Sequence, residues 1–289
     1  MSRYLKRYKI TLWLLVTVFF LGACAPLMVV EEAPDVQGAQ GMVASAHPLA
    51  SQVGVDILQA GGNAVDAAVA VGFALGIVEP NASGIGGGGL MLIRFADSGK
   101  VVFIDSREKA PAAATPDMFE LDEKGRVKPD ERGFNPVAIG GRSIAVPGEI
   151  AGLLTALDQY GTMSRDEVIQ PAVDRARQGV PVSEVLAAMI AANYDTLVTF
   201  PASEAIYLTD GFPKLAGETV SNTDLADTLE LIAQQGRDAF YTGQVAESIV
   251  AAVQADGGII SLDDLAAYDA VSYTHLTLPT NIIGWGGRG

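Results

Sequence analysis

The sequence predicts a mixed α+β fold in which helices cover a sheet. Three observations support this prediction: an apolar segment of helical length after Asn63, two short apolar runs joined by a hairpin-turn signal, and a second half dominated by helical patterns. Both short runs are apolar on their two faces, and such strands need cover on both sides. We therefore expect a layered helix–sheet–sheet–helix or helix–sheet–helix core.

The first 24 residues resemble a lipoprotein-type signal peptide. Four basic residues precede the apolar run ITLWLLVTVFFLGA: Arg3, Lys6, Arg7 and Lys9. This run falls short of the roughly 20 apolar residues of a permanent span. Because "LGAC" resembles a lipobox, Cys24 is the predicted lipidation site; an ordinary signal peptide with a chance cysteine, or an uncleaved anchor, are the alternatives. We expect a bacterial periplasmic protein that meets the membrane only through this lipid anchor, with residues 25–40 as a spacer.

Composition restricts the partners. The chain has 34 acidic and 19 basic residues, a formal net charge of -15, and this field repels nucleic acid. Cys24 is the sole cysteine and there are two histidines, so neither an intrachain disulfide nor a cysteine or multi-histidine metal site is expected. We expect no metal and no cofactor.

The first ordered elements follow from Gly41 onward. HPLASQVGVDILQAGG has helical spacing and a stop at Gly61 and Gly62, and Asn63 can cap the next helix, AVDAAVAVGFALGIV. This second helix is apolar nearly all round, which is typical of a buried core helix. The strands LMLIRF and VVFIDS follow, with Ser98 and Gly99 in the turn between them.

The stretch PNASGIGGGGLMLIRF, residues 80–95, places five glycines between positions 84 and 89. A phosphate loop runs from a strand into a helix, whereas this loop runs from a helix into a strand and lacks the Lys-Ser/Thr of a P-loop. We therefore interpret the glycines as a packing device that allows close backbone approach and positive φ.

Six helical segments are predicted in the second half. Polar caps begin several of them, with capping boxes at Ser164/Glu167 and Ser261/Asp264 and a cap at Asn222. The segments are PGEIAGLLTALDQYG, SRDEVIQPAVDRARQG, SEVLAAMIAANYDTLVTF, NTDLADTLELIAQQG, GQVAESIVAAVQADGG and SLDDLAAYDAV.

Arg107, in IDSREKAP, is the main candidate for chemistry. It follows an apolar strand and lies between Asp105 and Glu108. Composition alone favours an ion pair with one of these carboxylates, and the alternative is an arginine directed into a cleft to hold a substrate carboxylate in a bidentate fork.

Three other polar residues have structural interpretations. His47 is expected to be a capping or surface histidine, and Asp66 a buried carboxylate bonded to backbone or to an arginine. Ser143 has no base near it in sequence, so a serine nucleophile is unsupported.

Several motifs together resemble the large subunit of gamma-glutamyltransferase. The resemblance covers residues 41–271 and rests on GMVASAHPLASQVGVDILQAGGNAVDAAVAV, GIGGGGLMLIRF, IDSREKAP, AVPGEIAGLLTALDQYGTM, VIQPAVDRARQG and GGIISLDDLAAYDAV. It implies an N-terminal-nucleophile hydrolase fold of four layers, αββα, incomplete here because only the large-subunit part is present.

The resemblance also implies an activity. Family members cut themselves into two subunits, and the new N-terminal threonine of the small subunit attacks the γ-glutamyl bond of glutathione. The acyl group then passes to water, an amino acid or a peptide. Arg107 corresponds to the arginine that binds the glutamate α-carboxylate, and the partner is the chain's own small subunit.

The last 18 residues, 272–289, do not resemble the family. SYTHLTLPTN resembles translated adapter sequence, and we expect this tail to lie outside the folded body. Thr274 precedes His275 as in a processing site, but it comes too early and its surroundings differ, so we do not assign it as the nucleophile. We expect the chain to be inactive alone; a cephalosporin or glutaryl acylase of the same fold and a non-catalytic lipid-anchored binding protein are the alternative functions.

Overall fold

The computed structural model describes residues 37–273, and its contacts separate Met1–Gln40 from Gly41–Gly289. The fold below belongs to the second unit. The predicted signal peptide with Cys24, most of the spacer and the tail from Thr274 onward lie outside the described residues. Within residues 37–273, none of the helices combines the length and the apolar composition that a membrane crossing requires.

Two capped helices open the fold. Helix α1 spans Pro48–Gln59, and helix α2 spans Ala64–Val78. The Asn63 side chain accepts hydrogen bonds from the first turn of α2, while Asp66 accepts one from the Asn63 backbone, which forms a capping box. The predicted cap at Asn63 is confirmed. Helix α2 is buried along most of its length, because it packs against α1 and against two helices of the second half.

A β-hairpin follows, with β1 at Gly89–Arg94 and β2 at Val101–Ser106 in antiparallel register. Ile93, opposite Val102, belongs to the face that enters the core. On the other face Leu90 and Leu92 are 59% and 66% exposed. The expectation of strands covered on both faces is therefore not met within residues 37–273, because the described helices pack on one face of this sheet.

A third strand, β7 at Val271–Tyr273, completes the sheet in the order β1–β2–β7. Ser272 pairs with Ile104, and Tyr273 with Phe103. The expectation that residues 272–289 lie outside the folded body is thus wrong for Ser272 and Tyr273. Backbone pairing with the open edge of β2 explains this, since it requires no particular side chains and all three residues of β7 remain exposed.

The second half is helical, as predicted. Its helices are α3 Glu149–Tyr160, α4 Arg165–Gln178, α5 Glu184–Ala192, α6 Tyr194–Leu197, α7 Pro201–Tyr207, α8 Thr223–Gln235, α9 Arg237–Tyr241, α10 Gln244–Ala255 and α11 Leu262–Ala266. A 3₁₀ turn lies at Gly141–Ser143, and the remaining strands form two-residue ladders: β3 Val180–Pro181 with β6 Thr219–Val220, and β4 Leu208–Thr209 with β5 Phe212–Pro213. The capping boxes at Ser164 and Ser261 and the cap at Asn222 are confirmed.

One predicted helix is wrong. The segment SEVLAAMIAANYDTLVTF does not form one helix; α5 ends before Asn193, α6 is a single turn, and Pro201 begins α7. Asn193 has a φ of -109° and a ψ of 19°, outside the helical region. Phe200 is extended, with a φ of -114° and a ψ of 104°, because the proline that follows it disfavours a helical conformation. The hydrophobic pattern continues across these breaks, which is why the pattern alone does not reveal them.

The main core lies between the hairpin and the helices α1–α4 and α8–α11. A small separate cluster forms around Val182, Leu186 and Ile190. Helix α3 packs on β2, so its N-terminus lies beside the end of that strand, where Arg107 follows.

Candidate functional site

An open cleft of about 430 Å³ lies where β2 ends and α3 begins. The glycine loop from Pro80 to Gly88 contributes one part of its lining, and three charged side chains contribute the other: Arg107, Glu108 and Glu149. The cleft therefore combines one cation with two carboxylates, which is the type of polar convergence that fixes a small charged ligand.

The Arg107 side chain forms the ion pair that composition favours and also lines the cleft. Its Nη2 lies 3.1 Å from Glu108 Oε2, and its Nη1 donates a 3.4 Å hydrogen bond to the Gly88 carbonyl. The side chain is 61% exposed. Because an exposed ion pair contributes only about 0 to 1 kcal/mol, a ligand carboxylate can compete with Glu108 for the guanidinium. Asp105 does not pair with the side chain; its carboxylate accepts a hydrogen bond from the Arg107 backbone.

The backbone around Arg107 is held from several sides. The Ser106 hydroxyl donates to the Gly89 carbonyl at 2.9 Å, and Lys109 exchanges two backbone hydrogen bonds with Val146. The Tyr268 hydroxyl donates to the Arg107 carbonyl at 2.7 Å. The exposed guanidinium thus projects from a fixed main chain.

The glycine loop makes its closest approach to the rest of the fold at Gly88. A Cβ at Gly88 would lie 2.3 Å from the Ser106 carbonyl oxygen, so a side chain is excluded at this position. The Gly87 carbonyl accepts hydrogen bonds from the backbone N–H groups of Gly148 and Glu149, at 2.8 and 2.9 Å. A loop carbonyl therefore satisfies two backbone N–H groups at the N-terminus of α3. The packing interpretation is confirmed for close approach at Gly88, whereas a Cβ at Gly84 or Gly86 would meet nothing within 4 Å. It is wrong for positive φ, because none of the glycines in this described loop has it.

Glu149 is a site residue that the sequence did not reveal. It stands in the first turn of α3, half-buried, with its carboxylate in the cleft. Burial, and then the negative charge of Glu108, raise the pKa of its carboxyl group. An acidic residue in a first turn is common for electrostatic reasons alone, so its sequence position gives no functional signal.

The raised pKa of Glu149 predicts the direction in which stability changes with pH. The folded state holds the Glu149 proton more strongly than the unfolded state, so the associated stability is present below the unfolded pKa, near 4.3, and is lost as pH rises through the folded pKa. Glu149→Gln removes the cost of this charge. We expect the variant to have a higher Tm than wild type at pH 7, and the difference in Tm to be smaller at pH 4.

Thermal melts of both proteins across this pH range measure the effect. Glu247→Gln is the matched control, because Glu247 also stands in the first turn of a helix but is exposed. A difference in Tm between Glu149→Gln and wild type that does not change with pH would contradict the expected cost of ionisation.

The other polar candidates have structural roles. His47 caps α1, with its Nδ1 accepting from the Leu49 N–H at 3.2 Å. Asp66 is fully buried and accepts hydrogen bonds from backbone and from the Thr162 hydroxyl, as expected for a satisfied carboxylate. The Ser143 hydroxyl donates to the nearby Gly140 carbonyl at 2.8 Å. Thr274 lies outside the described residues.

The gamma-glutamyltranspeptidase family model matches residues 50–282. The glutathione hydrolase proenzyme of Escherichia coli (strain K12) is 46% identical over 243 residues, which are 84% of this chain and 41% of that protein. The acylase ACY 1 proenzyme of Pseudomonas sp. (strain SE83) is 42% identical over 239 residues, 82% of this chain and 42% of that protein.

Solved structures agree with the sequence comparison. The crystal structure of Helicobacter pylori gamma-glutamyltranspeptidase superposes with a TM-score of 0.77 at 38% identity, over 83% of this chain and 67% of that one. The chain spans about two fifths of the length of the curated relatives it matches. It belongs to the gamma-glutamyltranspeptidase family of enzymes, corresponds to the large-subunit portion of its members, and has their N-terminal-nucleophile hydrolase fold.

Proposed function

We propose that this chain is the large-subunit part of an enzyme that cleaves the γ-glutamyl bond of glutathione and related compounds. The γ-glutamyl group passes to water or to an amino acid or peptide. The observation that carries the proposal is the exposed Arg107 guanidinium at the end of β2, in a cleft beside Glu108 and Glu149.

The chain's own residues bind and orient the substrate. The planar guanidinium of Arg107 can hold the α-carboxylate of the γ-glutamyl group through two parallel hydrogen bonds. The two carboxylates beside it favour a ligand that also carries a positive charge, and the α-ammonium group of a γ-glutamyl compound supplies one. Fixing this head group places the γ-carbonyl for attack.

The nucleophile belongs to the small subunit. In this proposal its N-terminal threonine, freed by autoprocessing, forms the acyl-enzyme, and its α-amino group acts as the base. In this division of roles the large-subunit part supplies substrate binding and the small subunit supplies the nucleophile, so we expect activity when both are present. The exposed Leu90 and Leu92 face of the hairpin supports the assembly, since a second sheet packed there would cover it.

An acylase that removes glutaryl groups is the second candidate, because an acylase is among the relatives and a glutaryl chain also ends in a carboxylate. Charge argues against it. A glutaryl group is purely anionic, and bringing it to Arg107 places a third carboxylate beside Glu108 and Glu149 without any added cation. The γ-glutamyl group is electrically balanced, and we favour it for this reason.

Three anilide substrates separate these functions. The assay uses a completed enzyme, in which this chain up to Val271 is continued with the C-terminal remainder of the Escherichia coli proenzyme. γ-Glutamyl p-nitroanilide carries both head-group charges, glutaryl p-nitroanilide lacks the ammonium group, and 4-aminobutyryl p-nitroanilide lacks the carboxylate. We expect the γ-glutamyl compound to have the highest kcat/KM, about tenfold or more above the carboxylate-free compound.

Each other outcome points to a different function. Preference for the glutaryl compound would assign the chain to the acylases. A matured enzyme that turns over none of the three substrates would favour a non-catalytic binding protein.

A further inference from the structure

Tyr268 connects the end of the described chain to the residue that anchors the substrate. It follows helix α11 and is 2% exposed. Its hydroxyl donates a 2.7 Å hydrogen bond to the Arg107 carbonyl, across 161 residues of sequence. Among residues 37–273 this bond is the contact that reaches the Arg107 main chain from the far end of the sequence.

The Tyr268 ring is held by an aromatic neighbour and a cationic neighbour. It stacks on Tyr241, with ring centroids 5.8 Å apart and an interplanar angle of 7°. The Lys109 ammonium group also lies over the Tyr268 ring, 4.8 Å from its centroid. The hydroxyl fits a narrow slot, since a Cβ at Gly148 would lie only 2.2 Å from it. These contacts leave the hydroxyl little freedom to move away from the Arg107 carbonyl.

The hydroxyl is also a permanent donor. Burial, together with Asp105 and Glu108, raises the pKa of Tyr268 to about 12. It therefore stays protonated at physiological pH, and the hydrogen bond to Arg107 does not depend on a titration.

We propose that Tyr268 is a positioning residue for substrate recognition. Its hydroxyl fixes the Arg107 main chain, and this places the exposed guanidinium in the orientation that binds the substrate carboxylate. The inference rests on the proposed function, because it takes Arg107 as the carboxylate ligand. Among the described residues the exposed Arg107 guanidinium contacts Glu108 and the Gly88 carbonyl, and the position of its main chain also determines where it lies.

The test is Tyr268→Phe in the completed enzyme, because this change keeps the ring stack and removes only the donor. We expect kcat/KM for γ-glutamyl p-nitroanilide to fall about fivefold, the usual effect of losing one hydrogen bond. The value for 4-aminobutyryl p-nitroanilide, which has no carboxylate for Arg107, should not change. A general loosening of the fold would lower both values alike and would overturn the proposal.

Tyr241→Phe is the matched control. Tyr241 is equally buried and stacked in the same pair, but its hydroxyl bonds to the Pro147 carbonyl and the Ala151 N–H. We expect this variant to lose thermal stability without any selective loss on the γ-glutamyl substrate. A selective loss of the same size would show that the effect is not specific to the Tyr268 hydroxyl, and would refute the positioning role.

A double-mutant cycle with Arg107→Ala separates this inference from the proposed function. If Tyr268 acts through Arg107, Tyr268→Phe has no further effect on kcat/KM once the guanidinium is gone. Equal effects of Tyr268→Phe in both backgrounds would refute the positioning role while leaving the proposed function intact. Unchanged kcat/KM in Arg107→Ala itself would refute the proposed function.

A second variant covers the case in which Tyr268→Phe does not mature. Lys109→Ala removes the ammonium group from the Tyr268 ring and the hydrogen bond from Lys109 Nζ to the Asp269 carbonyl. We expect a smaller loss, about twofold, again confined to the carboxylate-bearing substrate. An equal loss on both substrates would refute the proposal.

Discussion

Arg107→Lys in the completed enzyme is expected to lower kcat/KM for γ-glutamyl substrates about ten- to hundredfold. Lysine keeps the charge but loses the planar fork that holds a carboxylate through two hydrogen bonds. One charge-assisted hydrogen bond contributes about 1.5 to 3 kcal/mol, which corresponds to this range. Because the same contact positions the γ-carbonyl, both KM and kcat should be affected.

Steady-state kinetics on glutathione measure the effect, after the two precursors have been shown to process themselves equally. Arg94→Lys is the matched control, because Arg94 is an exposed arginine at the end of the neighbouring strand β1 and lies outside the lining of the cleft. An Arg107→Lys enzyme as efficient as wild type would leave Arg107 with only the ion pair to Glu108.

Local signals account for what the sequence predicted well. The caps at Asn63, Ser164 and Ser261 each depend on residues within one helical turn, so their sequence spacing determines the contact. Arg107 was a candidate because it directly follows an apolar strand and lies between two carboxylates; the structure places it in the cleft, and its role in binding stays a prediction. Its ion-pair partner, Glu108, is its neighbour in sequence.

Contacts between distant residues account for what the sequence did not reveal. Glu149 reaches the cleft because α3 packs on β2, and Tyr268 reaches Arg107 from 161 residues away. Neither the packing of α3 nor the path of the chain after α11 is encoded in a local pattern. The uncovered face of Leu90 and Leu92 was missed for a related reason: an apolar strand pattern predicts that cover is needed, without saying which segment provides it.

Asp66→Asn should cause the largest loss of stability, about 3 to 5 kcal/mol of unfolding free energy, or a fall in Tm of about 10 °C. The carboxylate is fully buried, and it joins the start of α2 to the loop after α3. It accepts hydrogen bonds from the N–H groups of Asn63, Thr162 and Met163 and from the Thr162 hydroxyl, at 2.7 to 3.2 Å. Asparagine has one acceptor oxygen, and its NH₂ group would face donors, so buried N–H groups lose their partners.

The pH dependence of the Asp66 effect has a defined sign. Burial alone would raise the pKa of Asp66, but the hydrogen bonds from Thr162, Asn63 and Met163 outweigh it, and the pKa is lowered. The stability that Asp66 contributes is therefore present above its unfolded pKa, near 3.9, and is lost as pH falls through the folded pKa. Denaturant unfolding at pH 7 and at steps down to pH 2 should show that the difference in unfolding free energy between wild type and Asp66→Asn becomes smaller as the pH falls.

Asp56→Asn is the control, because Asp56 is exposed and its carboxylate accepts from Gln52 alone among the described side chains. Equal losses for the two variants, or an Asp66 effect that grows in acid, would show that the buried carboxylate does not hold these two segments together.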